Sequence, residues 1–120
     1  MPDPIRTITL PTADHGPVTT PEPSWCVGHE TAPGDLRADI VHQGPDTTLT
    51  FHGRLVLEAA LVQAPFAELG TREPRISVHP LGAALEARGV HELAAALDAY
   101  ADRLRDLADR LVVIVAEGDL

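Results

Sequence analysis

Alternation of apolar and polar residues predicts a short β-strand near the start of the chain. Between residues 5 and 10, Ile8 and Leu10 fall on one side of an extended chain, and Thr7 and Thr9 fall on the other. This period of two is typical of a half-buried strand. Prolines and glycines then punctuate residues 11–36, and such punctuation predicts a Pro/Gly-rich loop there.

A second alternating region predicts a β-hairpin. Residues 38–43 and 47–52 flank the turn-forming sequence Gly44-Pro45-Asp46. If Ile40 pairs with Leu49, His42 lies on the apolar face at the turn end and His52 lies on the opposite face.

Residues 55–64 fit two structures. One is a helix whose apolar stripe consists of Leu55, Ala59, Val62, Phe66 and Leu69. Pro65 would break that helix near its middle, because proline lacks the N–H that the helix needs. The apolar run at Ile76 and Val78 instead offers a strand partner. We therefore expect two antiparallel strands joined by a loop.

The clearest pattern predicts an α-helix over residues 90–116. Apolar residues recur there at three- and four-residue steps, namely Val90, Leu93, Leu97, Ala101, Leu104, Ala108 and Leu111. The distal sequence LVVIVA is apolar on every side, and a helix without a polar face must be buried all round. This end therefore either turns into a strand, as its β-branched residues would favour, or packs against a second copy in a homodimer.

Together these patterns indicate an α+β fold, a small antiparallel β-sheet packed on one long C-terminal α-helix. A chain of 120 residues can bury one hydrophobic core, so residues 1–120 are expected to form a single domain with a short tail at residues 1–4.

Charge and composition restrict the partners. The formal net charge is −9, from 9 basic and 18 acidic side chains, so we expect neither nucleic acid nor anionic lipid to bind. No apolar run approaches the roughly 20 residues of a membrane span, and the first residues do not resemble a signal peptide. A single Cys excludes an internal disulfide and fits a reducing compartment, so we expect a cytoplasmic protein.

The candidate chemistry centres on SWCVGHE at residues 24–30, which contains the only Trp and the only Cys. Cys26, His29 and His42 form a C-x2-H-x12-H pattern, and zinc prefers thiolate and imidazole ligands in a tetrahedral shell. Gly28 supplies the backbone freedom for a tight turn between the first two. Glu22 is the best candidate for a fourth ligand. Weaker candidates are His15, Glu30 and Asp39.

Other interpretations of this stretch stay open. A lone cysteine often acts as a small buried hydrophobe, and a solvent-filled fourth position would resemble a catalytic zinc site. We expect Trp25 to pack beneath the sheet. Signs of an enzyme are weak, since neither Ser24 nor Ser77 lies in a Gly-x-Ser-x-Gly motif and no Gly-rich phosphate loop is present. We assign no catalytic and no cofactor-binding residue.

The segments PSWCVGH, ADIVH, LVQAP, ISV and ELAAALDAYADRLRDLA resemble those of a family of small uncharacterised actinobacterial proteins. The similarity extends over most of the chain. Members commonly show Cys-Pro-x-Trp-Cys, a nearby His and a later His, a pattern suggestive of zinc. The last three correspond to Cys26, His29 and His42, and the first Cys falls on Glu22. The resemblance thus implies a zinc site in which a carboxylate replaces a thiolate.

We therefore expect a non-catalytic accessory or regulatory protein that acts through protein–protein contacts, with its loop pinned by a structural zinc. The partner is either another protein or a second copy bound through the C-terminal helix. The alternative is a small-molecule-binding domain or minor enzyme with a pocket between the Trp25 loop and the sheet. A large closed cavity lined by Trp25 and Phe66 would favour that alternative.

Overall fold

The computed structural model describes residues 6–30 and 34–117, and the chain divides into two compact units, Met1–Leu85 and Glu86–Leu120. The described part of the first unit contains β-strands, and the second contains one long helix, α1 (Ala87–Glu117). The predicted α+β class, with antiparallel sheets and a long C-terminal helix, is confirmed. The tail at residues 1–4 lies outside the described residues. The single domain and the packing of a sheet on the helix stay predictions.

The first sheet is a two-stranded antiparallel hairpin of β1 (Arg6–Thr12) and β2 (Gly16–Glu22). Strand β1 confirms the first predicted strand, whereas β2 occupies part of the region that we expected to be a loop. Leu10 and Thr20 are buried on one face of the hairpin. Glu22 ends β2 on the same face as Thr20, because residues two apart on a strand point the same way.

The prolines of β2 led us to predict a loop where the structure has a strand, and the pairing of β1 with β2 explains the difference. Pro11 pairs with Pro17, and Pro21 pairs with Thr7. The two pairs are separated by an even number of residues along β1, so they occupy equivalent positions of the ladder. At every second position of an antiparallel ladder, the backbone nitrogens point away from the partner strand. Prolines at such positions cost no ladder hydrogen bond, so the hairpin tolerates them.

The second sheet has five antiparallel strands, in which β5 has neighbours on both sides. Short strands β3 and β4 pair with successive parts of one edge of β5, and β6 and then β7 continue from the other edge. The strands are β3 (His42–Gln43), β4 (Thr47–Phe51), β5 (Arg54–Gln63), β6 (Arg75–His79) and β7 (Ala83–Leu85). The predicted antiparallel pair formed by β5 and β6 is confirmed, and the helical alternative for β5 is wrong.

The predicted hairpin around Gly44-Pro45-Asp46 is wrong. Residues Arg37–Asp39 form a short 3₁₀ helix, and Leu49 pairs with Leu57 rather than with Ile40. Strand β3 pairs with β5 through His42 opposite Gln63. Strand β5 has ten residues and can pair with both β3 and β4. An isolated two-stranded hairpin is only marginally stable in water, so pairing with β5 stabilises each short strand more than pairing of the two with each other.

The hairpin that does form joins β4 to β5 through His52 and Gly53. Both residues have positive φ angles, 49° and 76° respectively, which is the conformation of a type I′ turn. The right-handed twist of the flanking strands favours this turn. His52 therefore lies in a turn and not on the strand face where the sequence pattern put it.

Replacing Gly53 with Ala is expected to lower the free energy of unfolding by about 1–2 kcal/mol, because a side chain disfavours the left-handed conformation. A Cβ at Gly53 would meet no atom within 4 Å, so the cost is conformational and not steric. His52→Asn is the matched comparison, and we expect it to be neutral or slightly stabilising, since Asn tolerates positive φ. Urea unfolding curves measure both changes. Equal destabilisation by the two substitutions would contradict the turn assignment.

Helix α1 confirms the predicted long helix and begins three residues before the predicted start at residue 90. It continues through Val112–Val115 to Glu117, so the alternative in which this end becomes a strand is wrong. None of its described residues is buried. No helix in the described part of the chain has the length and apolar character that crossing a membrane requires.

Candidate metal centre

A tight turn after β2 brings Cys26 back beside Glu22. The N–H of Cys26 donates to the carbonyl of Pro23 at 3.0 Å, which closes a four-residue turn. Gly28 then adopts a φ angle of 110°, a conformation that favours glycine, and directs the chain toward His29. The N–H of Val27 donates to the carbonyl of Gln43 at 2.9 Å, so the loop is attached to β3.

The turn, β2 and β3 bring four side chains together, and we call Glu22, Cys26, His29 and His42 the four-residue cluster. One potential ligand atom from each lies within 4.8 Å of those of the other three. Oε1 of Glu22 lies 3.1 Å from Nε2 of His29 and 3.0 Å from Nδ1 of His42. Sγ of Cys26 lies 3.5 Å from the same Nε2.

The cluster is largely screened from water. The side chains of Glu22, His29 and His42 are 9%, 8% and 1% exposed. The indole of Trp25 meets the His42 ring edge-on, with ring centroids 6.5 Å apart, and the His29 and His42 rings lie 5.2 Å apart. Trp25 is thus half-buried against His42 of β3.

Electrostatics differ between the two acidic members of the cluster. Burial alone would raise the pKa of Glu22, but hydrogen bonds with Cys26 and His29 and the nearby imidazole charges outweigh it, so this pKa lies below its ordinary value. Burial raises the pKa of the Cys26 thiol, and the Glu22 carboxylate raises it further, against the opposing backbone hydrogen bonds of Gly28 and Gln43. Without a cation, the cluster therefore pairs a carboxylate with a neutral thiol.

The contacts in the cluster are close to those of a tetrahedral zinc shell. Zinc bonds of about 2.0–2.1 Å to nitrogen and about 2.3 Å to sulfur place neighbouring ligand atoms about 3.3–3.6 Å apart. Three of the six distances between ligand atoms are 3.0, 3.1 and 3.5 Å, near that spacing, and all six lie within 4.8 Å. The same contacts satisfy the cluster as hydrogen bonds, since no buried side-chain nitrogen or oxygen in residues 6–30 and 34–117 lacks a partner. The four side chains therefore lie close enough together to hold a metal ion.

All four of the leading candidates from the sequence meet in this cluster, and the weaker candidates do not. His15 instead contacts Asp14, with 3.0 Å between Nδ1 and Oδ2. Glu30 and Asp39 lie outside the group whose ligand atoms converge. His42 arrives through the pairing of β3 with β5, although the sequence pattern assigned it to a different hairpin.

A surface cleft of about 730 Å³ adjoins the cluster on the side of His29. Three parts of the chain line the cleft. They include the end of β1 at Leu10, the loop at residues 27–30, and residues 35–36 and 39–41 before β3. Neither Trp25 nor Phe66 is among its lining residues, so it lacks the two aromatic side chains that would favour the small-molecule alternative. No motif indicates this cleft in the sequence, because its walls come from separate segments.

A search of curated proteins and a search of solved structures each found no match. A model of the family DUF6907, described as a domain of unknown function, matches residues 7–113. The match spans both sheets, the four-residue cluster and most of α1. The expected relationship to an uncharacterised family is thereby confirmed. Because the match covers most of the 120 residues, the chain belongs to the DUF6907 family.

Proposed function

We propose that the protein is a non-catalytic accessory or regulatory protein in which a structural zinc ion pins the loop after β2 to the second sheet. The ligands are Glu22, Cys26, His29 and His42. One observation carries the proposal: four side chains of ligating type, from β2, the following turn and β3, converge within 4.8 Å of one another. Side chains of these types converge on one point when they share an ion.

The donor set favours zinc over the hard divalent cations. Thiolate and imidazole suit zinc, whereas magnesium and calcium prefer oxygen ligands throughout. Four protein ligands complete a tetrahedral shell and leave no open position for substrate, which is the pattern of a structural site. The thiolate of Cys26 and the carboxylate of Glu22 together balance the charge of the ion, so the buried site is neutral overall.

The small apolar core supports a structural role for the ion. Within the described residues, the buried apolar side chains are those of Leu10, Cys26, Ile40, Ala60 and Val78. Small domains with so little core commonly gain stability from a structural metal. The cluster also joins the end of β2 in the first sheet to the start of β3 in the second.

Two further features of the proposal follow from the sequence. The Cys-Pro-x-Trp-Cys…His…His pattern of the actinobacterial proteins that the chain resembles supports the same four positions as ligands, with Glu22 in place of the first Cys. A cytoplasmic location would keep Cys26 reduced and available to the ion. The role through protein contacts is supported by the exposed apolar residues of α1, such as Leu104 at 48% and Leu107 at 60%.

Elemental analysis of untagged protein tests the zinc assignment. Protein purified under reducing, zinc-replete conditions is expected to carry about one zinc per chain, as four ligands define one tetrahedral site. His42→Ala and Cys26→Ser are expected to lose most of it. His15→Ala is the matched control, because this histidine lies outside the cluster and should leave the zinc content unchanged.

Cobalt substitution tests whether the Cys26 thiolate is a ligand. Cobalt occupies zinc sites and gives an absorption band when a thiolate binds it. We expect the wild-type protein to show the thiolate band and Cys26→Ser to lose this band. An absence of zinc from wild-type protein, or equal zinc content in wild type and both cluster variants, would refute the proposal.

A further inference from the structure

Helix α1 contains an unbroken heptad repeat of apolar residues. With Val90 at position a, every a and d position over the next four heptads is apolar or aromatic. The a positions are Val90, Leu97, Leu104 and Leu111, and the d positions are Leu93, Tyr100, Leu107 and Ile114. A repeat with a mean spacing of 3.5 residues, sustained over four heptads, is typical of a helix that supercoils with a partner helix.

Five of the eight residues of this a/d seam are exposed, and Val90, Leu93 and Ile114 are half-buried. Leu104 is 48% exposed, and Leu107 and Leu111 are each 60% exposed. No residue of α1 is buried. A contiguous apolar strip of this length on a helix surface usually marks an interaction site.

We propose that α1 forms a parallel, two-stranded coiled coil with α1 of a second copy of this chain. The seam has enough area for a stable pair. Burying one aliphatic side chain contributes about 1.5–3 kcal/mol to the free energy of association. At about 25 cal/mol for each Å² of apolar surface, this corresponds to roughly 60–120 Å² of buried surface for each side chain. Seven such side chains and Tyr100 on each copy give an upper limit of about 1,000–2,000 Å² for the total interface, which overlaps the standard size of stable protein pairs.

Charges beside the seam favour the parallel orientation. Arg103 and Arg110 occupy g positions, whereas the e positions are Ala94, Ala101, Ala108 and Val115. In a parallel pair each g residue faces an e residue of the other copy, so both arginines face uncharged side chains. In a fully overlapped antiparallel pair, Arg103 would face Arg103 of the second copy, and like charges repel. Most of the charged residues of α1, including Asp98, Asp102 and Asp109, lie at outer positions.

Light scattering tests the association on full-length protein. Wild-type protein at tens of micromolar is expected to show twice the 12.8 kDa chain mass. Leu104→Glu combined with Leu107→Glu places charges in the seam and should weaken association at least about a hundredfold. The matched control combines Val112→Glu and Val113→Glu, exposed apolar positions off the seam, and it should stay dimeric.

Three outcomes would overturn the pair. They are a single-chain mass for wild-type protein, a mass above two chains, or equal dissociation of the seam and off-seam variants. Zinc content is measured on the same samples. The seam variant should keep its zinc, because the seam shares no residue with the four-residue cluster, so failure of one proposal is distinguishable from failure of the other.

Cross-linking tests the orientation. Under oxidised glutathione, Ile114→Cys in a parallel pair should form a covalent dimer, because equivalent d positions face each other. In an antiparallel pair the two introduced thiols would lie about 36 Å apart at a rise of about 1.5 Å per residue. Wild-type protein, whose buried Cys26 is its only thiol, is the control. Dimeric protein that fails to cross-link would overturn the parallel orientation.

Discussion

Removal of zinc with a chelator is expected to lower the free energy of unfolding of the first unit by about 4 kcal/mol, relative to protein in zinc at about a thousandfold its dissociation constant. In the proposed site, zinc binds the folded arrangement, in which four ligand atoms lie within 4.8 Å, and the unfolded chain does not preserve that arrangement. The binding free energy of the ion therefore appears as folding free energy.

Trp25 fluorescence during urea unfolding measures this effect directly. Trp25 is the only tryptophan of the chain, and its ring contacts that of His42, so its emission reports the first unit and the cluster. Circular dichroism follows α1 separately. In Cys26→Ser the chelator should shift the unfolding midpoint much less, whereas His15→Ala should respond like wild type. A wild-type midpoint that is insensitive to the chelator would contradict a structural zinc even if metal co-purifies.

The site could be predicted from the sequence better than the fold around it. Cys26 and His29 are close in sequence, and a Gly28 turn allows them to meet whatever sheet surrounds them. Glu22 could be included because it lies one turn before Cys26. His42 does lie in the cluster, but not through the predicted hairpin. Its position depends on pairing with Gln63 of β5, a long-range contact that local patterns do not encode.

Errors in the fold also have a long-range origin. Strand β2 contains Pro17 and Pro21, and only the register with β1 shows that both occupy positions that need no ladder hydrogen bond. Apolar and polar residues alternate over residues 38–43 as in a strand, yet Arg37–Asp39 forms a 3₁₀ helix. On this side of the sheet, β5 pairs only with His42–Gln43 and Thr47–Phe51. Helix α1 was predictable because helical periodicity is local and persists over its 31 residues.

Replacing His42 with Ala in zinc-free protein is expected to lower the free energy of unfolding by about 3–5 kcal/mol. The His42 side chain is 1% exposed and packs against the rings of Trp25 and His29, so its removal leaves a cavity. It also removes one contact of the Glu22 carboxylate, which is 9% exposed and cannot be fully rehydrated. His15→Ala, at a side chain 44% exposed, should change stability by no more than about 0.5 kcal/mol.

A double-mutant cycle with Glu22→Gln isolates the contact between the two side chains. Because Nδ1 of His42 and Oε1 of Glu22 lie 3.0 Å apart, each single substitution disrupts the same interaction. The double variant should therefore lose less stability than the sum of the single variants, by about 1–3 kcal/mol. Urea unfolding of all four proteins in chelator gives the value. Additivity within about 0.3 kcal/mol would show that the contact between the two side chains contributes nothing to stability without the ion.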